Sequence, residues 1–447
     1  MKNLICIIIV FIFCVFSLSA QTMPVVPTPK VPTVNPIVNQ YKSIPSIPVN
    51  PQQNNQNYTN DSYRIYNDKI KKETEEYQKK IEEDKQIENA VNILITKGFP
   101  SHSHQKGTPY FYQAFDEIYN MLKGNQSLNL GRAIFLVENA FYNNTLDYAT
   151  YNENIKSEVE ICKIKIKEEE LDESNNLVKN MMLFRLISDT LKVKNNETGK
   201  TLTHLPIKYN YDDYNSKKEY DSHFVTKLMK TGIGQCYSMP LYYLILAEEL
   251  NTEAYWSLSP LHSFIKIQDE KQAWYNLELT CGAILSDTHY MNSGYIKAEA
   301  IRNKIYLEPL SKTDIIAEML LMLARCYFEK YGLDDFYLKC VDTSMLYATN
   351  KLTALIQKSI YQTRLTLNIA YLLNAAKPEE LKKKSPEGYK QYEKMHELYK
   401  QIDNLGYEEY PTELYTKWLK YVANQKKISK KSETILSKQP KLKMENR

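Results

Sequence analysis

Glycine is scarce in this chain, 12 of 447 residues. With no short-period repeat either, that scarcity excludes collagen-like and glycine-rich low-complexity architectures. An excess of one charge is also lacking: 57 basic residues stand against 53 acidic ones, a formal +4. That is too little asymmetry to wrap a polyanion, so nucleic acid is not expected as a partner. There is no glycine-rich phosphate loop and no dinucleotide fingerprint, and no organic cofactor is implied. Ser101-His102-Ser103-His104 brings two imidazoles together, but no Cys, Asp or Glu follows at ligand spacing, so no metal is expected. Beyond the N-terminus no apolar run has the length to cross ~30 Å of hydrocarbon, and the mature chain is expected to lack a transmembrane segment.

What is present begins with Met1-Lys2-Asn3, an apolar run from Leu4 to Leu18, and small residues at Ser19-Ala20. That is the layout of a secretory signal. Residues 1–20 are expected to be a signal peptide cut after Ser19 or Ala20, and the protein to be secreted or periplasmic. An uncleaved anchor is disfavoured by the short run. Cys6 and Cys14 leave with the signal, and Cys162, Cys236, Cys281, Cys326 and Cys340 remain. An odd count leaves at least one thiol unpaired. Five cysteines are too few to staple a chain of this length, so the fold must stand on an apolar core.

Prolines from Pro24 to Pro51, followed by Gln and Asn, mark residues 21–63 as an extended, disordered tether. Residues 64–215 read as a helical N-terminal region. Its first helix, Arg64 to Lys97, pairs Glu75 with Lys79 and Glu76 with Lys80 and is stopped by Gly98 and Pro100. Val159 to Ile166 alternates and is compatible with strand or helix. A core follows over 216–310: a short helix stopped at Gly232, a nearly all-apolar helix from Tyr237 to Leu250, and three β-type segments at Glu253–Leu258, His262–Gln268 and Ala273–Leu279. Helical patterns then run through 311–425, and residues 426–447 form a lysine-rich, disordered tail. The fold class expected is α+β, a cysteine-bearing helix on an antiparallel sheet flanked by mostly helical regions.

Gly234-Gln235-Cys236 sets a cysteine between a glycine turn and the start of a buried helix. The unpaired N–H groups and the positive end of the dipole favour thiolate at that place. A buried, inert thiol is the bland alternative. Pro240 lacks an N–H, which moves the regular helix one or two residues past Cys236. In the second and third β segments, matching the apolar faces puts His262 and Glu278 on one face. With a three-residue loop at Asp269–Lys271 the two lie directly opposite, Cβ atoms ~5 Å apart. A carboxylate there could hold the imidazole in the tautomer that accepts a thiol proton. Asn276 is the second choice for that orienting role, and a weak surface His-Glu pair is the plainer reading.

Gly234-Gln235-Cys236-Tyr237, then His262, then Trp274-Tyr-Asn-Leu-Glu278-Leu-Thr280 resembles the transglutaminase-like superfamily. Its motifs run Gly-x-Cys, His and Trp-x-x-x-Asp-x-Thr. The resemblance spans roughly Lys217 to Leu310 and implies a papain-like core. In this core Cys236 would be the nucleophile, His262 the general base and then acid, and Glu278 the orienting acid. Glu278 stands in place of the family's aspartate, and Tyr237 in place of the tryptophan that follows the cysteine in animal members. Gln235 and Tyr237 are candidates for the oxyanion site or the side wall, with the Cys236 N–H as the backbone donor. The helical segment that follows resembles a bacterial branch with tetratricopeptide-like helices, although no clean period of about 34 residues occurs. The implied activity is cysteine-dependent acyl transfer or hydrolysis at a peptide or amide bond, with a protein or peptide as substrate or partner. The alternative is a non-catalytic scaffold whose helical domain holds a partner.

Overall fold

The computed structural model describes residues 56–194, 199 and 201–409. The signal segment, most of the tether and the basic tail lie outside the described residues. Helix α1, Gln56–Lys97, takes in residues 56–63, which composition assigns to the tether. It ends where Gly98 adopts a left-handed φ of 78°, a conformation that glycine enters without the steric penalty of a Cβ. Its ion pairs are Lys69–Glu73 and Lys79–Glu83, both at 3.9 Å and well exposed. Pairs of that kind contribute little.

Residues from Leu94 onward form one compact unit. It opens with helices α2 (Thr108–Leu122), α3 (Leu130–Phe141), α4 (Tyr148–Glu168) and α5 (Asn176–Ser188). The ambiguous stretch 159–166 is therefore helical: Tyr151, Ile155, Val159, Cys162 and Ile166 recur at helical spacing and are all buried. Two short antiparallel strands, β1 (Leu191–Lys194) and β2 (Thr201–His204), interrupt the region 64–215 that reads as helical. Two-residue strands β3 (Lys208–Tyr209) and β4 (Ile233–Gly234) pair in parallel around α6 (Val225–Thr231). Gly232, at φ 67°, closes α6.

Helix α7, Ser238–Glu249, has no polar face because it has no exposed side: every residue from Ser238 to Ala247 is buried. Helices α4, α5 and α6 and the sheet surround it. The phenol of Tyr243, fully buried, donates to Asn180 at 2.9 Å, as most buried hydroxyls do. The sheet is an antiparallel meander, β5 (Tyr255–Ser259), β6 (His262–Gln268), β7 (Trp274–Glu278) and β8 (Ala283–Leu285). The fourth strand is one that the sequence pattern does not signal, since it is only three residues long. Strand β6 is buried on both faces rather than alternating. Phe264 packs into a cluster with Tyr290, Ile305 and Tyr306, and Lys266 is accommodated by an ion pair to Asp287 at 2.7 Å. Tyr290 belongs to α8 (Asp287–Ser293), which α9 (Ala298–Arg302) follows.

The register of β6 with β7 differs from the one expected. The hairpin loop is three residues long but sits at Glu270–Gln272, closed by Asp269 N–H donating to Ala273 O at 3.0 Å. Gln272 takes the left-handed φ of 63° that a three-residue loop of this type requires. Ile265 therefore faces Leu277 and Gln268 faces Trp274. His262 and Glu278 keep the same face but lie diagonally. The remaining helices are α10 (Lys312–Tyr331), α11 (Asp335–Tyr347), α12 (Leu352–Leu372), α13 (Pro378–Lys384) and α14 (Pro386–Asn404). Helix α10 starts with a capping box between Ser311 and Asp314 and packs against both α2 and α3. The architecture is thus mixed helix and sheet, with helix predominant. Among the described residues no helix is long and apolar enough to cross a membrane.

Candidate active site

Gly234 is the residue that lets the cysteine turn exist. A Cβ on it would stand 2.6 Å from both Leu228 Cδ1 and Met239 Cγ, so α6 and α7 approach as closely as they do only across a glycine. Gln235 then acts as the cap: its N–H donates to Ser238 Oγ at 3.0 Å, and its carbonyl accepts from Met239 N–H at 3.0 Å. Cys236 and Tyr237 form the turn, and α7 begins at Ser238, so Pro240 falls at the third helical position. With Met239 N–H on Gln235 O and Leu241 N–H on Tyr237 O, the N–H it lacks would have gone to Cys236 O, and that carbonyl is left for another donor. Ser263 Oγ donates to Cys236 O at 2.5 Å, tying the cysteine turn to β6.

His262 opens β6 and directs Nε2 at Glu278 Oε2, 2.6 Å away. The same carboxylate oxygen accepts from Tyr290 Oη at 2.9 Å. Its other oxygen, Oε1, accepts from Thr280 N–H at 3.1 Å and from Thr280 Oγ1 at 2.6 Å. Four donors therefore hold a group whose side chain is 6% exposed. Burial pushes this carboxyl up. His262 and the Thr280 and Tyr290 hydrogen bonds outweigh it and hold Glu278 down at about 2. Burial likewise disfavours the charged imidazole, but the Glu278 charge, with a further contribution from Cys236, holds His262 well above its ordinary value. With Nε2 engaged by Glu278, Nδ1 is the nitrogen that remains for sulfur.

Comparison with known proteins finds no match: no family model, no curated protein and no solved structure. The assignment of chemistry therefore rests on geometry.

Cys236, His262 and Glu278 are brought together; Asn276 is not brought to the imidazole. Its Nδ2 donates to Asp287 Oδ1 at 2.8 Å, and together with Lys266 it anchors the start of α8. Gln235 is buried, and its amide is engaged elsewhere: Nε2 donates to Asp213 O, and Oε1 accepts from Ser216 Oγ at 2.9 Å. It braces the turn, with one of the two N–H donors of its amide engaged on Asp213. Tyr237 is a wall, its ring edge-on to Trp256 with centroids 5.3 Å apart and its hydroxyl accepting from Arg325 at 3.0 Å. The other four thiols are distinct from the site: Cys162, Cys326 and Cys340 are buried, Cys281 is exposed, and all are free. The two imidazoles at 102 and 104 do not build a site; His102 packs by its backbone on Asp334 at 2.8 Å, and among the described residues no cluster of metal-ligating side chains forms.

Two contributors carry no local sequence signal. Tyr290 arrives from α8 and stacks on Phe264 with centroids 3.9 Å apart; nothing in its own neighbourhood marks it. Arg325 lies far along the chain in α10 and meets the site only through tertiary packing.

Proposed function

We propose that the protein is a cysteine-dependent acyl transferase or hydrolase acting on a peptide or amide carbonyl, built on a transglutaminase-like, papain-like core in an exported chain. The observation that carries this reading is that Cys236 and His262 line one cavity while the His262 ring is held by a Glu278 carboxylate fixed by four donors. A surface His-Glu pair of no consequence needs no such enclosure.

In the reaction the Cys236 sulfur, its proton held by His262 Nδ1, attacks the carbonyl carbon. An S–C bond forms and the carbonyl electron pair moves onto oxygen, where the Cys236 N–H at the start of α7 is placed to donate. The oxygen pair returns, the C–N bond breaks, and the imidazolium gives its proton to the leaving nitrogen, leaving a thioester. Water or an amine then loses a proton to His262 as it attacks the thioester, and the thiolate departs. Glu278 stays ionised throughout and stabilises the imidazolium.

The test is to incubate the full chain with a library of peptide amides, quench in acid, and weigh the intact protein. An acyl mass on Cys236, absent in Cys236→Ala, supports the reading. The absence of any adduct and of any product release across the library contradicts it and favours the scaffold alternative.

A further inference from the structure

The cavity beside Cys236 and His262, about 130 Å³, carries buried polar groups that the proposed reaction does not use. Arg325, 4% exposed, lines it. Nη2 of this guanidinium donates to Tyr237 Oη at 3.0 Å, and Nη1 reaches Glu318 Oε1 only at 3.4 Å. Its Nε has no acceptor, and neither has the indole Nε1 of Trp256 on the same wall. A buried donor left unpaired is costly, and a buried guanidinium facing one distant carboxylate is poorly compensated. Tyr237 brings the two together: Trp256 meets its ring edge-on, and the guanidinium carbon sits 5.6 Å from its centroid. Unpaired donors and a cation on one wall of a nucleophile's cavity match a ligand with negative, accepting oxygens.

Two further polar groups lining the cavity are also unpaired, Tyr306 Oη and His223 Nε2. Ser216 Oγ donates to Gln235 Oε1, so it accepts from His223 Nδ1–H, leaving His223 Nε2 bare and without a partner. A carboxamide could use that nitrogen, whereas a carboxylate could not. The cation favours the carboxylate: Glu318, on the same cavity, meets it only at Nη1, 3.4 Å away, and the donors left over bond a carboxylate more strongly than a neutral amide.

We propose that this cavity selects substrates bearing a carboxylate close to the attacked carbonyl, with Arg325 and Trp256 as the binding groups. The inference rests on the acyl-transfer reading above. Iodoacetate and iodoacetamide deliver the same carbon to a thiol and differ only in carboxylate against carboxamide, so they test it on the full chain, with labelling mapped by mass spectrometry. Cys281, exposed and away from the cavity, gives the intrinsic ratio of the two rates.

The expected result is a ratio at Cys236 at least about tenfold higher than at Cys281. It should fall toward the Cys281 value in the double variant E318Q/R325M, which removes both buried charges together, with each rate compared to that variant's own iodoacetamide rate. A ratio equal to that of Cys281, or a preference for iodoacetamide, overturns the proposal. A second measurement needs no variant: wild-type Cys236 should be protected saturably from iodoacetamide by N-acetylglutamate α-amide or by N-acetylglutamine, and not by N-acetylglutamine amide. Which of the first two protects tells a side-chain carboxylate from a terminal one; protection by neither contradicts the proposal. Fast, His262-dependent iodoacetamide labelling with no carboxylate effect defeats this inference alone. Slow labelling indifferent to His262 defeats the acyl-transfer reading itself.

Discussion

His262 Nε2 and Glu278 Oε2 lie 2.6 Å apart although the register of β6 on β7 sets the two residues diagonally. Diagonal neighbours stand ~7–8 Å apart, against ~5 Å for a facing pair, and the extra methylene of glutamate spans that difference. Glu278→Asp is therefore not conservative here. It should weaken the imidazole contact and lower Cys236 alkylation by roughly tenfold, while Glu278→Gln, which keeps the length and loses the charge, should lower turnover by about 10²–10⁴-fold, as for other triad acids. Aspartate performing as well as glutamate would contradict the diagonal geometry.

The pH dependence of stability should carry two opposite signatures. Glu278 is held at about 2 by its partners, so its contribution is complete above the ordinary carboxyl value and is lost as pH falls through about 2. His262 is held well above its ordinary value, so its contribution is complete below about 6.5 and is lost as pH rises through the folded value. Urea unfolding of His262→Gln against wild type should show a gap that is widest in mild acid and narrows in alkali. A gap that widens with pH would contradict the sign.

Tyr290→Phe removes one donor to Glu278 and keeps the stack on Phe264. A hydrogen bond to a charged group contributes roughly 1.5–3 kcal/mol, so the unfolding free energy should fall by that order, with a parallel loss of Cys236 reactivity. Unchanged reactivity would mean that the other three donors suffice.

Much of the site was legible in the sequence because its parts are local: the glycine turn before Cys236, the alternation in β6 and β7, and the parity that keeps His262 and Glu278 on one face. Parity survives any even slip, so the face was right even though the loop lies one residue further along than Asp269–Lys271. The burial of β6 on both faces, strand β8 and Tyr290 were not legible. They depend on a segment, 283–307, whose covering of the sheet is set by packing rather than by its own periodicity. Asn276 shares the face of Glu278, and only the position of Asp287 shows that its amide is already engaged.

Asn276 and Gly234 therefore separate positioning from support. Asn276→Ala should leave Cys236 labelling within about twofold of wild type and cost no more than a hydrogen bond to a charged group, roughly 1.5–3 kcal/mol. Gly234→Ala forces a Cβ against Leu228 and Met239 at 2.6 Å. It should destabilise the fold by about 1–3 kcal/mol and slow labelling by displacing the start of α7. Equal labelling in the two variants would contradict this division.

The most direct measurement is the rate of iodoacetamide alkylation at Cys236 across pH in wild type and His262→Ala, with Cys281 followed in the same digest. Cys281 is exposed, and its thiol is pushed up by burial of the sulfur and by the Glu278 charge, so it reports a cysteine that no imidazole activates. The account predicts that at pH 6 Cys236 labels much faster than Cys281 and that removing His262 erases the difference. Labelling of Cys236 no faster than Cys281, and unaltered by the substitution, would contradict a nucleophile at this site.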